Sequence, residues 1–104
     1  MDQNNQIQPQ QSGQKKLNIK ITDEILPGKY ANMMQVSHTK EEFILDFMNV
    51  VPPQGIMNAR IITSPGHIKR IIKALQENLQ KYEYQHGEIE ESSAPGKLDL
   101  TSNN

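Results

Sequence analysis

The stretch from Ala59 to Gly87 constrains the fold more than any other part of this chain. It opens with Arg60-Ile61-Ile62-Thr63, whose β-branched residues favour a strand. Ser64-Pro65 follows, which joins a hydroxyl suited to cap a helix to a proline at the first helical position. Gly87 is typical of the residue just after a helix. The sequence therefore predicts a strand that leads directly into a helix of roughly 20 residues.

Apolar side chains recur along this helix with the spacing of a single face, within an arc of about 100°. They are Ile68, Ile71, Ile72, Leu75, Leu79 and Tyr82. Polar side chains such as Lys69 and Gln80 fall on the opposite side. We therefore expect an amphipathic helix whose apolar face is buried against the rest of the domain.

The chain before the helix has the pattern of strands joined by turns. Apolar and polar residues alternate over residues 17–21, and the apolar runs 30–36 and 43–51 flank a polar hairpin tip at 37–42. After Pro52-Pro53-Gln54-Gly55, residues 56–63 return as a last strand. The sequence predicts an α+β fold, in which a four-stranded antiparallel meander precedes one long C-terminal amphipathic helix.

Composition predicts a single domain at residues 17–89 between two disordered tails. Residues 1–16 contain six glutamines and two asparagines, and residues 90–104 contain no extended apolar pattern. Neither tail buries enough apolar surface to offset the entropy of ordering it. The remaining chain is short, and a domain of this size has only a marginal core.

The strand at 43–51 carries apolar side chains on both faces. Ile44, Met48 and Val50 lie opposite the face that the helix is expected to cover. A second copy of the chain would cover them, which predicts a homodimer or higher oligomer. A curled sheet or an ordered tail would cover the same face, so these alternatives stay open.

The absence of cysteine removes disulfides and thiolate chemistry. No apolar run approaches the roughly 20 residues of a membrane span, and the N-terminus lacks the pattern of a secretory signal. We expect a cytoplasmic protein that does not enter membranes.

Side chains with catalytic potential have simpler structural roles. Glu41 and Glu42 belong to a hairpin tip, where solvated carboxylates are ordinary, and Ser64 is needed as a helix cap. The histidines, His38, His67 and His86, lack the spacing of a metal site. Asp46, within an apolar strand, is expected to pair across the sheet with a residue such as Arg60. The sequence therefore predicts no catalytic residue, metal or cofactor, and a protein that is not an enzyme.

A basic cluster lies around the start of the helix. No acidic residue occurs from Arg60 to Gln76, whereas Arg60, Lys69, Arg70 and Lys73 are all cationic. Such a cluster suits contacts with phosphates or other anions, so a nucleic-acid-associated protein is the alternative function. Residues 17–87 carry eight basic and seven acidic residues, however, which is far from the balance of a nucleic-acid-binding domain. An interaction or adaptor module with a protein partner is the preferred interpretation.

Three blocks carry a family resemblance. They are Tyr30-Ala31-Asn32, the hairpin Ser37-His38-Thr39-Lys40-Glu41-Glu42-Phe43 with Leu45-Asp46-Phe47, and Ser64-Pro65-Gly66-His67-Ile68-Lys69-Arg70 with its continuation to Glu83. Over residues 17–89 the chain resembles the small bacterial and archaeal family called domain of unknown function 3467. Gly66 stands where that family more usually has a polar helix-forming residue. The resemblance supports the domain limits and implies no activity.

Overall fold

The computed structural model describes residues 15–98. Within them the chain forms three strands and one helix: β1 (Met33–His38), β2 (Phe43–Val51), β3 (Gln54–Thr63) and α1 (Pro65–His86). The strands form an antiparallel sheet in the order β1-β2-β3, with β2 in the centre. The predicted α+β class, the meander and the single C-terminal helix are confirmed.

The predicted fourth strand is wrong. Residues 15–22 adopt no regular structure, and Leu17, Ile19 and Ile21 are exposed. Thr22 instead begins a turn, in which its carbonyl accepts hydrogen bonds from the N–H groups of Ile25 and Leu26 at 3.1 and 3.0 Å. Alternation shows only that a segment has an apolar side; a strand also needs a neighbour that bonds its backbone. No strand within residues 15–98 pairs with this segment.

The predicted hairpin between β1 and β2 is confirmed, although β1 begins at Met33 and ends at His38 rather than spanning 30–36, so that the polar tip is limited to residues 39–42. The Thr39 N–H donates to the Glu42 carbonyl at 2.9 Å. The Thr39 hydroxyl accepts from the N–H groups of Glu41 and Glu42, each at 3.2 Å. A short polar side chain thus supplies the acceptors that the backbone of the tip lacks.

A bulge interrupts the pairing of β2 with β3. Phe47 lies opposite Ala59, and Met48 lies opposite Met57, so Asn58 is an extra residue on β3. The two strands are joined at Pro52-Pro53, whose peptide bond is cis. On both sides of the bulge, residues that lie opposite each other on β2 and β3 share one face of the sheet. We call the two sides of the sheet the Phe47 face and the Met48 face.

The predicted helix and both of its ends are confirmed. The Ser64 hydroxyl accepts from the His67 N–H at 3.1 Å, and Pro65 occupies the first helical position. At the other end the Gly87 N–H donates to the Glu83 carbonyl at 2.9 Å. Gly87 has φ of 93° with an extended ψ of 167°, so it is not in the left-handed helical conformation, but its positive φ still favours glycine.

Burial is confined to the centre of the sheet. Within residues 15–98 the buried hydrophobic side chains are Leu45, 8% exposed, and Met48, 6% exposed, both on β2. The helix has no buried residue, and Leu75 in its middle is 65% exposed. The expectation that α1 covers one face of the sheet is therefore wrong for the single chain. An amphipathic pattern records that a helix face is apolar, whereas tertiary or quaternary packing decides which surface covers it.

The predicted tails fall mostly outside the described part of the chain, which excludes residues 1–14 and 99–104. Residues 88–98 have no regular structure, although the Ile89 N–H donates to a Glu83 carboxylate oxygen at 3.0 Å. The bounds of 17–89 for the domain stay a prediction. In the part of the chain that the structure describes, no helix has the length and apolar character needed to cross a membrane.

Candidate interaction surface

The centre of the sheet holds an ion pair between neighbouring strands. Asp46 on β2 lies opposite Arg60 on β3, and the guanidinium binds both carboxylate oxygens, with Nε–Oδ1 at 2.7 Å and Nη2–Oδ2 at 3.0 Å. These hydrogen bonds, more than the charge attraction, hold the pKa of Asp46 below its ordinary value, while desolvation opposes them. The predicted pairing of these two residues is confirmed. It gives Asp46 a structural role.

The predicted anion-binding residues separate into two groups. Lys69, Arg70 and Lys73 are exposed on the first half of α1, and Arg70 Nη1 lies 3.3 Å from His67 Nδ1. Arg60 lies on β3, where the Asp46 carboxylate binds two of its guanidinium nitrogens. The structure therefore brings three of the four cations together on one helix and commits the fourth to the sheet.

The three residues predicted to form an oligomer interface, Ile44, Met48 and Val50, share the Met48 face of the sheet, and their role as an interface stays a prediction. Met48 is buried within the single chain, whereas Ile44 and Val50 are half-buried. Ile62 and Met57 on β3 are more exposed on the same face. The more exposed of these apolar side chains therefore belong to β3.

The other candidate side chains lie apart from one another. Glu41 and Glu42 are exposed at the hairpin tip. The ring of His38 lies 5.3 Å from that of Phe43, and the ring of His86 lies 4.7 Å from that of Tyr82, between centroids. Within residues 15–98, no three histidine, aspartate or glutamate side chains converge as a metal site would require.

The Phe47 face carries an apolar cleft that the sequence did not predict. The turn that begins at Thr22 and the following residues lie beside β2 and β3, and together they enclose about 300 Å³. Its apolar lining comprises Ile25, Ala31, Phe47, Ala59 and Ile61. Glu24, Lys29 and Asn58 add polar groups. We call this feature the Asn58 cleft.

Two asparagines bind backbone beside the sheet, and they differ in how completely they do so. Asn32 donates from Nδ2 to the Val50 carbonyl and accepts at Oδ1 from the Val50 N–H, both at 2.9 Å. Asn58 donates from Nδ2 to the Tyr30 carbonyl at 2.6 Å, but its buried Oδ1 has no hydrogen-bond partner among the described residues. Few buried polar atoms in native proteins lack a partner. Asn58 thus lines the cleft and also carries an unsatisfied buried acceptor.

The sequence contains one signal for this site. Asparagine is disfavoured in strands, yet Asn58 interrupts the run Ile56 to Thr63. That signal indicates an irregularity, here a bulge. It does not reveal the cleft, because the second wall comes from the turn after residues 17–21, and its position beside the sheet depends on packing rather than on local pattern.

The chain is similar to one known protein family. A family model described as "Protein of unknown function (DUF3467)" matches residues 1–91, which include every strand and the helix as well as the N-terminal segment. No curated protein and no solved structure matches the chain. The match extends over most of the sequence and agrees with the resemblance seen in its motifs, so the chain belongs to the DUF3467 family of proteins of unknown function.

Proposed function

We propose that this chain is a non-enzymatic oligomeric interaction module that binds a protein partner as an adaptor. The partner segment docks on the Phe47 face and places an apolar side chain in the Asn58 cleft. The observation that carries this proposal is the exposure of apolar side chains on a well-paired sheet. Met34, Val36 and Ile61 share the Phe47 face with the cleft, and each is about half exposed.

The size and chemistry of the cleft favour a peptide over a small cofactor. About 300 Å³ is at the low end of ligand sites, and it suits one or two aliphatic side chains. Full burial of a leucine or methionine side chain contributes roughly 1.5–3 kcal/mol. An extended peptide also supplies N–H donors, and Asn58, which lines the cleft, has an acceptor without a partner among the described residues.

Two adjacent isoleucines on β3 provide a matched test. Ile61 lines the cleft and is 51% exposed, whereas Ile62 is 54% exposed on the Met48 face. Linear peptides selected from a displayed random library on the full chain serve as probes, and their affinities are measured by fluorescence anisotropy. We expect Ile61→Glu to weaken binding at least tenfold, since it places a charge against an apolar ligand.

Ile62→Glu introduces the same charge at similar exposure and should leave peptide affinity within about twofold. Equal losses in the two variants would contradict docking on the Phe47 face. Selection of peptides without apolar residues would contradict the proposed chemistry of the cleft.

Nucleic-acid association is the second candidate, and the exposed Lys69, Arg70 and Lys73 favour it. Arg60 adds little because Asp46 already binds its guanidinium. Salt-sensitive binding to DNA or RNA that is lost when these three residues are changed together to glutamine would favour this function. A cytoplasmic location and the lack of enzymatic activity remain predictions from the sequence.

A further inference from the structure

The exposed side of α1 has the spacing of a coiled-coil seam. Steps of four and three residues alternate through six positions, and this 3.5-residue repeat keeps one line of side chains facing a neighbouring helix. The positions are Ile68, Ile72, Leu75, Leu79, Tyr82 and His86. The helix is continuous from Pro65 to His86, so the seam extends for about 27 Å.

Most of this seam is accessible in the single chain. Ile72, Leu75, Leu79 and Tyr82 are each about half exposed or more, and only Ile68 near the start is half-buried. Tyr84, on the opposite side of the helix, is 92% exposed. The apolar line is therefore formed and available to a partner helix.

Charge is distributed unevenly along α1. Its first half carries Lys69, Arg70 and Lys73, and its first turn has no acidic residue to offset the positive end of the helix dipole. Its second half carries Glu77 and Glu83 with one lysine, and Glu88, Glu90 and Glu91 follow. The two ends of the helix are electrostatically complementary to each other.

We propose that α1 pairs with α1 of a second copy of this chain in an antiparallel arrangement. Each basic first half then lies beside an acidic second half, and the two dipoles oppose. In the register that overlaps the whole seam, Leu75 packs against the partner's Leu79. Lys69, which flanks the seam, faces the partner's Glu83.

A parallel pair is disfavoured by the same charges. In that orientation the basic halves lie side by side and the acidic ends do the same, so like charges meet at both ends. This inference rests on the oligomeric part of the proposed function. It does not depend on the Asn58 cleft, so peptide binding and helix pairing are tested separately.

Chemical cross-linking tests the geometry, because the chain has no cysteine and any introduced thiol is unique. Gln76 flanks the seam close to the two-fold axis of the antiparallel pair, whereas Glu77 points away from it. With a short bismaleimide, Gln76→Cys in the full chain should give a covalent dimer at low protein concentration. Glu77→Cys should not. Equal cross-linking at both positions, or none at Gln76→Cys, would overturn the arrangement.

A charge swap tests the register and orientation. Lys69→Glu or Glu83→Lys places like charges opposite each other twice per dimer and should weaken dimerisation about tenfold. The double variant should recover most of that loss in sedimentation equilibrium. Arg70→Glu makes the same charge change on the outer side and serves as the control. This pairing would be excluded if the double variant dimerised no better than either single variant and if Arg70→Glu weakened dimerisation as much as Lys69→Glu.

Discussion

The central strand β2 and the helix α1 are both rich in apolar residues, but only β2 buries them. Leu45 and Met48 are buried on the central strand of the sheet, whereas no residue of α1 is buried. Both elements are regular: β2 pairs with a strand on each side, and α1 is capped at both ends. The difference shows that forming a helix or strand and burying its apolar face have separate causes. Capping and propensity decide where the element forms, whereas its apolar face stabilises the fold only when another surface covers it.

Charged groups show the same contrast. Asp46 on β2 is buried and bound at both oxygens by Arg60, whereas Lys69, Arg70 and Lys73 on α1 are exposed. A buried carboxylate requires a partner within the chain, since an unpaired one is strongly destabilising. Exposed cations remain available to other molecules. The charged groups of the sheet thus bind each other within the chain, whereas the basic side chains of the helix are exposed to solvent.

A matched pair of leucines gives the largest expected difference between these regions. Leu45→Ala removes a buried side chain and should lower the free energy of unfolding by roughly 2–4 kcal/mol, which approaches the full stability of so small a domain. Leu75→Ala, at a position that is 65% exposed, should lower it by less than about 1 kcal/mol in dilute protein. Urea unfolding followed by circular dichroism measures both.

Protein concentration sharpens this comparison. If α1 pairs between copies, the loss in Leu75→Ala should grow as the protein is concentrated, because association stabilises the wild type more than it stabilises this seam variant. The loss in Leu45→Ala should not follow concentration in this way. Equal losses in dilute protein would mean that α1 packs on its own sheet.

The sequence predicted features that depend on neighbours in the chain. Ser64 and Gly87 bond to backbone groups three and four residues away, and Pro65 fixes its own φ, so the limits of α1 were visible in the local sequence. The polar run at 37–42 marked the hairpin in the same local way. The pairing of Asp46 with Arg60 was also predictable, since a lone carboxylate in an apolar strand calls for a cation on the next strand. Features that depend on which surfaces pack together were not predictable.

Residues 17–21 and the Asn58 cleft illustrate that limit. The alternation of Leu17, Ile19 and Ile21 resembles a strand, but whether a partner strand exists is not encoded locally. The cleft needs both a bulge at Asn58 and a turn that lies beside the Phe47 face. A pattern of apolar residues therefore indicates that a surface exists, and only the assembled chain shows what lies against it.

The Asp46–Arg60 pair should make the stability of the sheet depend on acid. The pKa of Asp46 is lowered in the folded protein from its ordinary value of 3.8, so the unfolded chain binds a proton first as the pH falls. The stabilisation is therefore complete above the ordinary value and is lost as the pH falls through the lower, folded value. Thermal unfolding measured from neutral to acidic pH should show this loss.

Asp46→Asn removes the titrating group and should flatten that part of the profile, while it lowers stability at neutral pH because a charged hydrogen-bond acceptor is lost. Lys73→Gln, which removes a charge from the exposed face of α1, is the control and should leave the acid dependence unchanged. An unchanged profile in Asp46→Asn would show that the pair contributes little to folding.

Two glycines at opposite ends of α1 give the smallest and most local test. A methyl group at Gly66 meets no atom within 4 Å, and glycine inside a helix is less favourable than alanine by roughly 0.5–1 kcal/mol. Gly66→Ala should therefore slow amide hydrogen exchange in α1 by about fivefold at most. Gly87 has φ of 93°, where alanine is strained, so Gly87→Ala should speed exchange in the last turn.

If α1 is independent of the sheet in dilute protein, exchange in β2 should stay unchanged in both variants. Parallel changes in β2 would show that the helix and the sheet unfold as one unit within a single chain.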